Sequence, residues 1–363
     1  MSIIHKIALT FIDTVGHVHS KNLLRHFGSA EAIFKANLSE LMDVPGIGQF
    51  RASEIVKTNA LKLAEQQLKF IEKHAVQVLF YTDGTYPHRL RHCADAPVLL
   101  YYKGNADLNH NRILSIVGTR KATEYGRQLC RQLCEVLASY DVLVISGLAY
   151  GIDVAAHKES IAQRIPTVGV LAHGLDRIYP PPHQPIAAQM LLNGGLLTEF
   201  PLNTIPEKGN FPQRNRIIAG LSDATIVVEA AVKGGALITA DIANSYDRDV
   251  YTYPGRANDP SSQGCNFLIR TNRAGLISNA KELVVCMGWD DLKKNTGSDQ
   301  LQMPLGLAAE EQRIVTILRN SSCQIDQLAI RTEIPQNQLA MHLLNLEMQG
   351  ILCSLPGKVY QLN

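Results

Sequence analysis

Ile113-Leu-Ser-Ile-Val-Gly118-Thr119-Arg120 and Val142-Leu-Val-Ile-Ser146-Gly147-Leu-Ala-Tyr-Gly151-Ile-Asp153 decide the fold of this chain. Each is a short apolar run that ends in a small, glycine-bearing turn and then opens a helical pattern. A parallel α/β sheet uses this device to bring backbone N–H groups and a helix N-terminus up to an anion.

Outward from Arg112 to Gly288, apolar runs keep alternating with helical segments. The strand candidates are 113–118, 142–146, 166–171, 195–199, 224–229 and 249–253. That alternation predicts a doubly wound, mainly parallel, Rossmann-like sheet. Right-handed crossovers put the C-terminal turns of its strands on one edge. Nearly all the glycine-rich and polar clusters fall on those turns. Upstream, 76–81 and 99–102 read as short strands that pack on the main sheet, separated by the turn signal Asp83-Gly84.

The flanks differ in kind. Residues 1–75 read as helical throughout. Within them, Val44-Pro45-Gly46-Ile47-Gly48 followed by Arg51 resembles a helix-hairpin-helix. Such a turn either contacts a DNA backbone or only packs. The extended core then covers 76–288, and 289–307 lose periodicity and read as a linker. Residues 308–363 show three helical stretches and a terminal hairpin, the pattern of a winged helix. Its third helix, from Gln336 to Met348, contains no lysine or arginine. A protein contact therefore suits it better than a DNA groove.

The whole composition restricts the function classes. The chain has 363 residues, 46% of them apolar and 19% charged, which is globular rather than disordered. The formal net charge is only +2, so any basic surface is local. Seven cysteines without a Cys-x-x-Cys pair read as reduced, mostly buried thiols of a cytoplasmic protein. Cys130 and Cys134 share a helix face but make a poor metal set, and no metal is expected. No leader and no membrane span are expected either, because no apolar run approaches the roughly 18 residues a span needs.

Four turns carry anion chemistry. Gly118-Thr119-Arg120-Lys121 combines a bare backbone with a guanidinium fork and a point charge. Ser146-Gly147 opens the next helix. In Phe211-Pro212-Gln213-Arg214-Asn215-Arg216, a helix over 213–220 places Gln213, Arg214 and Asn215 in its first turn, where cations oppose the dipole unless an anion is bound. Lys233-Gly234-Gly235 sets a lysine beside a nest of N–H groups. Tyr179 is positioned either to stack on a base or to pack its loop. Four such turns on one edge suit a polyanion better than one nucleotide. Neither Gly-x-Gly-x-x-Gly nor Gly-x-x-x-x-Gly-Lys-Ser/Thr occurs, so no NAD, ATP or other cofactor is expected. Ser146, Asp153 and His157 are the residue types of a catalytic triad. However, no Gly-x-Ser-x-Gly elbow exists, and Asp153 and His157 lie four apart on one helix. No catalytic residue is assigned, and His157 reads as a packed or helix-surface histidine.

Taken together, the residues resemble the DNA-processing protein A (DprA/Smf) family of bacterial transformation factors. The matching pieces begin with Tyr86-Pro87…Leu90, Pro97…Lys103-Gly104-Asn105, Val117-Gly118-Thr119-Arg120 and Ser146-Gly147…Gly151-Ile-Asp153. They continue with Thr198-Glu199-Phe200-Pro201, Phe211-Pro212…Arg214-Asn215-Arg216, Gly234-Gly235…Thr239-Ala240, Tyr253-Pro254-Gly255 and Gly264-Cys-Asn266. They run in order over about residues 80–285. The resemblance implies an extended Rossmann core that dimerises and binds single-stranded DNA, flanked by an N-terminal sterile-alpha-motif-like helical domain over 1–75 and a C-terminal winged helix. It also implies loading of the RecA recombinase onto incoming strands and protection of those strands from nucleases, with no enzymatic reaction. Its phosphate-pocket positions carry over as Gly118, Arg120, Ser146, Gly147, Arg214, Asn215, Lys233 and Gly234. The turns themselves add Thr119, Lys121, Arg216 and Gly235. The Thr119-Arg120-Lys121-Ala122 turn departs from the Ser-Arg and nearby proline of many members. The alternative is a lysine-decarboxylase-like nucleoside-monophosphate phosphoribohydrolase. Its Pro-Gly-Gly-x-Gly-Thr-x-x-Glu loop corresponds to Lys233-Gly-Gly-Ala-Leu-Ile-Thr-Ala, which lacks the glutamate.

Overall fold

The computed structural model describes residues 3–289, 307–319, 322–355 and 359–362. It divides into two compact units, Met1–Asp290 and Asp291–Asn363. Most of the segment expected to link core and winged helix, 290–306, lies outside the described residues.

The first unit is built on a nine-stranded sheet. Its strands are β1 (Gln77–Phe80), β2 (Leu99–Gly104), β3 (Ile113–Val117), β4 (Leu143–Ser146), β5 (Thr167–Val170), β6 (Gly194–Thr198), β7 (Ala224–Val227), β8 (Asp249–Thr252) and β9 (Gly275–Leu276). The order is β1-β2-β6-β5-β4-β3-β7-β8-β9. From β6 to β9 all pairings are parallel, with Leu114 opposite Val144 on one side and Ala224 on the other. All five residues of β3 are buried, as a strand covered on both faces requires. β1 and β2 do not lie on the sheet as a separate layer. They extend it antiparallel, with Tyr102 opposite Leu197.

Side-chain alternation divides the core in two. Ile113 and Val117 point to a face packed with Ile217, Ile218, Leu237 and Ala240. Leu114 and Ile116 point to the other, against Leu129, Leu133, Ile152 and Ala156. At about 1.5–3 kcal/mol for each fully buried large aliphatic, these two layers dominate the unit's stability.

The helices of this unit follow in chain order. Near the N-terminus are α1 (Ile3–Ala8), α2 (His17–Phe27), α3 (Ala30–Lys35), α4 (Leu38–Met42), α5 (Gln49–Lys57) and α6 (Ala60–Lys73). The core adds α7 (His88–Arg91), α8 (Glu124–Leu137), α9 (Ile152–Ala162), α10 (Gln184–Met190), α11 (Asn210–Leu221), α12 (Gly235–Ser245), α13 (Gln263–Arg270) and α14 (Ala280–Cys286). The first six helices share one apolar cluster with Phe80, Leu99 and Tyr101 of the β1–β2 edge. Lys6 pairs with Asp83 at 2.6 Å, and Lys21 donates to the Ala94 carbonyl at 2.9 Å. In the helix-hairpin-helix turn, Gly46 sits at φ 86°. Arg51 donates to the carbonyls of Gly46 and Thr14 at 3.2 and 3.0 Å, so this guanidinium holds its own turn.

The second unit contains α15 (Ala309–Leu318), β10 (Cys323–Gln324), α16 (Ile325–Thr332), α17 (Gln336–Met348), β11 (Leu352–Leu355) and β12 (Val359–Leu362). Ile314, Leu318, Leu328, Leu339, Leu343 and Leu346 form its core. The expected hairpin gains a third strand, in the order β10-β12-β11.

Candidate functional site

The strand order reverses between β3 and β7: β4, β5 and β6 follow on one side of β3, and β7, β8 and β9 lie on the other. In an open α/β sheet, ligands bind outside the strand C-termini at such a switch point. A cleft of about 510 Å³ lies there. It is lined by Gly118, Thr119 and Arg120 after β3, by Lys208, Phe211 and Asn215 of α11 and its approach, and by Lys233, Gly234 and Gly235 after β7.

Close backbone packing positions the Arg120 wall. A Cβ on Gly118 would stand 2.5 Å from the Ile152 side chain and 2.9 Å from the Glu229 carbonyl. Gly151 has φ +81°, and a Cβ on it would meet the Thr119 carbonyl at 2.1 Å. That position therefore requires glycine on both counts. The Ile152 N–H donates to the Thr119 carbonyl at 3.1 Å, and the Thr119 N–H donates to the Glu229 carbonyl at 2.7 Å. The two glycine turns thus lock onto one another and hold Arg120 over the cleft, where its guanidinium covers the Phe211 ring at 5.1 Å.

Four helix N-termini approach this edge, those of α8, α9, α11 and α12. α8 is capped by Thr123, whose hydroxyl accepts from the Gly126 N–H at 3.2 Å. α9 carries Asp153 in its first turn and gives its Ile152 N–H to Thr119. α12 starts from Gly234 with no side-chain cap, and it lies beside Lys233 on the cleft. α11 likewise starts from Gly209 with no side-chain cap, and Lys208 and Phe211 beside that start line the cleft. The open helix dipoles therefore belong to α11 and α12. Among the described residues, Arg120, Lys121, Lys208 and Lys233 form no salt bridge. Unpaired cations around one concavity attract an external anion.

The expected set divides. Gly118, Thr119, Arg120, Asn215, Lys233, Gly234 and Gly235 meet in the cleft, and Lys121 is exposed just outside its lining. Ser146 does not present its hydroxyl there: it is fully buried and donates to the Ile116 carbonyl at 2.6 Å. Gly147 reaches only a smaller adjoining pocket, shared with Tyr150, His173, Tyr179 and Phe211. A Cβ on Gly147 would collide with Arg214 Nη1 at 2.2 Å and Asp153 Oδ2 at 2.5 Å.

Arg214 lines the cleft floor but is buried, and its Nη1 donates to the carbonyls of Gly147 and Val170. Burial lowers its pKa to about 10 against the pull of Asp153, so it remains charged at neutral pH. Burial likewise raises the Asp153 carboxyl, opposed by Arg214. Arg214 therefore braces the turn from beneath through Nη1, while its buried Nε has no partner and lies on the cleft floor.

Arg216 does not join the site at all. It is buried on the opposite side of α11, donating to Glu199 Oε2 and to the Asp95 carbonyl. α11 also starts at Asn210 rather than 213, so Arg214 and Asn215 fall past its first turn, and the dipole argument for them lapses. Lys208 and Phe211 are the contributors that sequence reasoning left unassigned. The only signal for Lys208 was its place just ahead of the polar helix.

A switch-point cleft with unpaired cations, two uncapped helix N-termini and an adjoining aromatic pocket defines an anion-binding α/β protein of the Rossmann type. The chain belongs to the DNA recombination-mediator protein A family, whose model matches residues 77–288. The DprA winged helix domain matches 300–358, and a helix-hairpin-helix motif matches 8–66. Protein Smf of Synechocystis is 32% identical over 392 residues, covering 98% of this chain and 97% of that protein. Protein Smf of Escherichia coli is 33% identical, covering 82% and 80%. The X-ray structure of DNA processing protein A from Streptococcus pneumoniae superposes with a TM-score of 0.68 at 29% identity, covering 78% of this chain and 97% of that one. DNA processing protein A from Helicobacter pylori, studied for a unique single-stranded DNA binding mode, superposes with a TM-score of 0.54 at 28% identity, covering 60% and 96%.

Proposed function

We propose that this chain binds single-stranded DNA in the switch-point cleft, shields incoming strands during natural transformation and loads a RecA recombinase onto them. In this reading it works as a cytoplasmic homodimer and catalyses no reaction. The observation that carries it is the meeting of Arg120, Lys208 and Lys233 around the open N-terminus of α12. Those groups suit phosphates, and the half-exposed rings of Tyr150 and Tyr179 beside them suit stacking on an unpaired base, which a single strand offers and a duplex withholds. The single-stranded DNA binding of the Helicobacter pylori relative supports the same reading.

The test is fluorescence anisotropy of one labelled sequence, single-stranded and as a blunt duplex, across a salt series. The single strand binds more tightly, and its affinity falls as salt rises. Equal affinity for both forms overturns the reading. RecA loading is tested separately by RecA's DNA-dependent ATP hydrolysis on the same strand, which starts sooner when the chain is present. Incubation with nucleoside monophosphates releases no free base.

A further inference from the structure

Glu229 lies at the end of β7 and is 2% exposed, yet no cation pairs with it among the described residues. A buried carboxylate without a counter-ion needs strong donors. Glu229 finds them across the switch point, on the loop that follows β3. Its Oε2 accepts from the Thr123 N–H at 2.9 Å, and its Oε1 accepts from the Thr123 hydroxyl. Its own carbonyl accepts the Thr119 N–H at 2.7 Å. One residue therefore grips both ends of the segment Thr119–Thr123, which contains Arg120 and Lys121.

Its charge also sits at the start of α8, where the helix dipole favours an anion. Gly126 makes room: a Cβ there would stand 2.2 Å from Glu229 Oε2 and 2.5 Å from its Cδ. Four residues beyond Glu229 is Lys233, on the opposite wall of the cleft.

We infer that Glu229 is a positioning residue of the anion site: it fills the N-terminus of α8 from within and fixes the Arg120 loop in register with the Lys233 loop. An incoming phosphate is thereby excluded from α8 and left to the uncapped starts of α11 and α12. The inference rests on the proposed single-strand binding.

The test uses the full chain and a labelled single strand. Wild type binds; if it does not, the proposed function fails and not this role. Glu229→Ala weakens binding about tenfold, and Arg120→Ala does so comparably. The double variant is little worse than either, because residues acting through one element are non-additive. Paired with Lys208→Ala, which has no contact with Glu229, the losses add. Glu229→Gln, which keeps an acceptor for the Thr123 hydroxyl, restores part of the affinity. Gly126→Ala displaces the carboxylate without removing any polar group. It weakens binding in the wild type and costs nothing further beside Glu229→Ala. Thermal melts confirm that each variant is folded. Wild-type affinity in folded Glu229→Ala, or fully additive losses with Arg120→Ala, overturns the inference. A loss at Gly126→Ala that persists in the Glu229→Ala background overturns it as well.

Discussion

Arg214 and Arg216 are two residues apart and do different work because a helix turns about 200° over that interval. One braces the floor of the cleft, and the other pairs with Glu199, whose side chain is 6% exposed. A sequence reading that groups cations by proximity cannot separate them; their helical phase can. Arg216→Ala leaves Glu199 buried beside His17 alone, and breaking such a pair costs about 3–5 kcal/mol. A urea melt of the variant reads this loss, while DNA affinity per folded molecule stays at the wild-type level. Arg120→Ala and Lys233→Ala behave in the opposite way. Both groups are exposed and, among the described residues, outside any salt bridge, and Arg120→Ala loses only an exposed contact with the Phe211 ring, so stability in the melt shifts by no more than about 1 kcal/mol. Each variant flattens the log–log salt dependence of single-strand binding by about 0.7, the value of one phosphate contact on a single strand. An unchanged slope removes that residue from the site.

His157 adds a pH dependence at the same scale. The Thr167 hydroxyl donates to the Val144 carbonyl, so it accepts from His157 Nδ1–H at 2.7 Å. Nε2 is then an acceptor without a partner, buried near Arg214. Burial lowers the pKa of this histidine to about 3. The unfolded chain, with a pKa near 6.5, takes up the proton first. The neutral form's contribution is therefore complete above about pH 6.5 and is lost as pH falls toward 3, by up to about 1.4 kcal/mol per pH unit. Urea midpoints fall between pH 7 and pH 5, and His157→Asn makes that profile shallower.

At the scale of elements, the buried parallel strands were legible because each is a short run apolar on both faces. β9 was not, because it has two residues, both exposed. α11 starts at Asn210 rather than 213, with Pro212 inside its first turn, where proline is tolerated. For the site, the glycine turns were legible, but which helix N-terminus stays open was not. That depends on Glu229 and Thr119 satisfying the starts of α8 and α9 from elsewhere in the fold. α17 tests the converse. It exposes Met341, Leu344 and Met348 at 67%, 57% and 80% and carries no lysine or arginine. Such a face adds little to phosphate attraction. Residues 1–289, a compact unit with their own cores, therefore bind a single strand within about a factor of two of the full chain. A much larger loss on truncation assigns DNA contact to the winged helix.

For the whole molecule, the small net charge and the few cations of the cleft set a limit on affinity. With a formal charge of only +2, long-range attraction to DNA is weak, and binding relies on local contacts of Arg120, Lys208 and Lys233. Three cations and two uncapped helix N-termini hold only a few phosphates, so one copy of the chain is a modest binder. The homodimer proposed above changes this through geometry alone. Once one cleft is occupied, the second meets the strand at a high effective concentration, provided that the strand is long enough to span both. Affinity therefore depends on length in a step. Strands of about 6 nucleotides bind as to one independent site, whereas strands of about 20 or more bind roughly a hundredfold more tightly. Beyond that length, further growth adds only the statistical factor of extra registers. Anisotropy titrations against a ladder of homopolymeric strands, at protein concentrations on either side of the dimerisation constant measured by sedimentation, separate the two regimes. A step that vanishes where the chain is monomeric assigns the gain to the paired clefts. A smooth rise with length at every protein concentration leaves each cleft acting alone and takes the homodimer out of the binding mechanism.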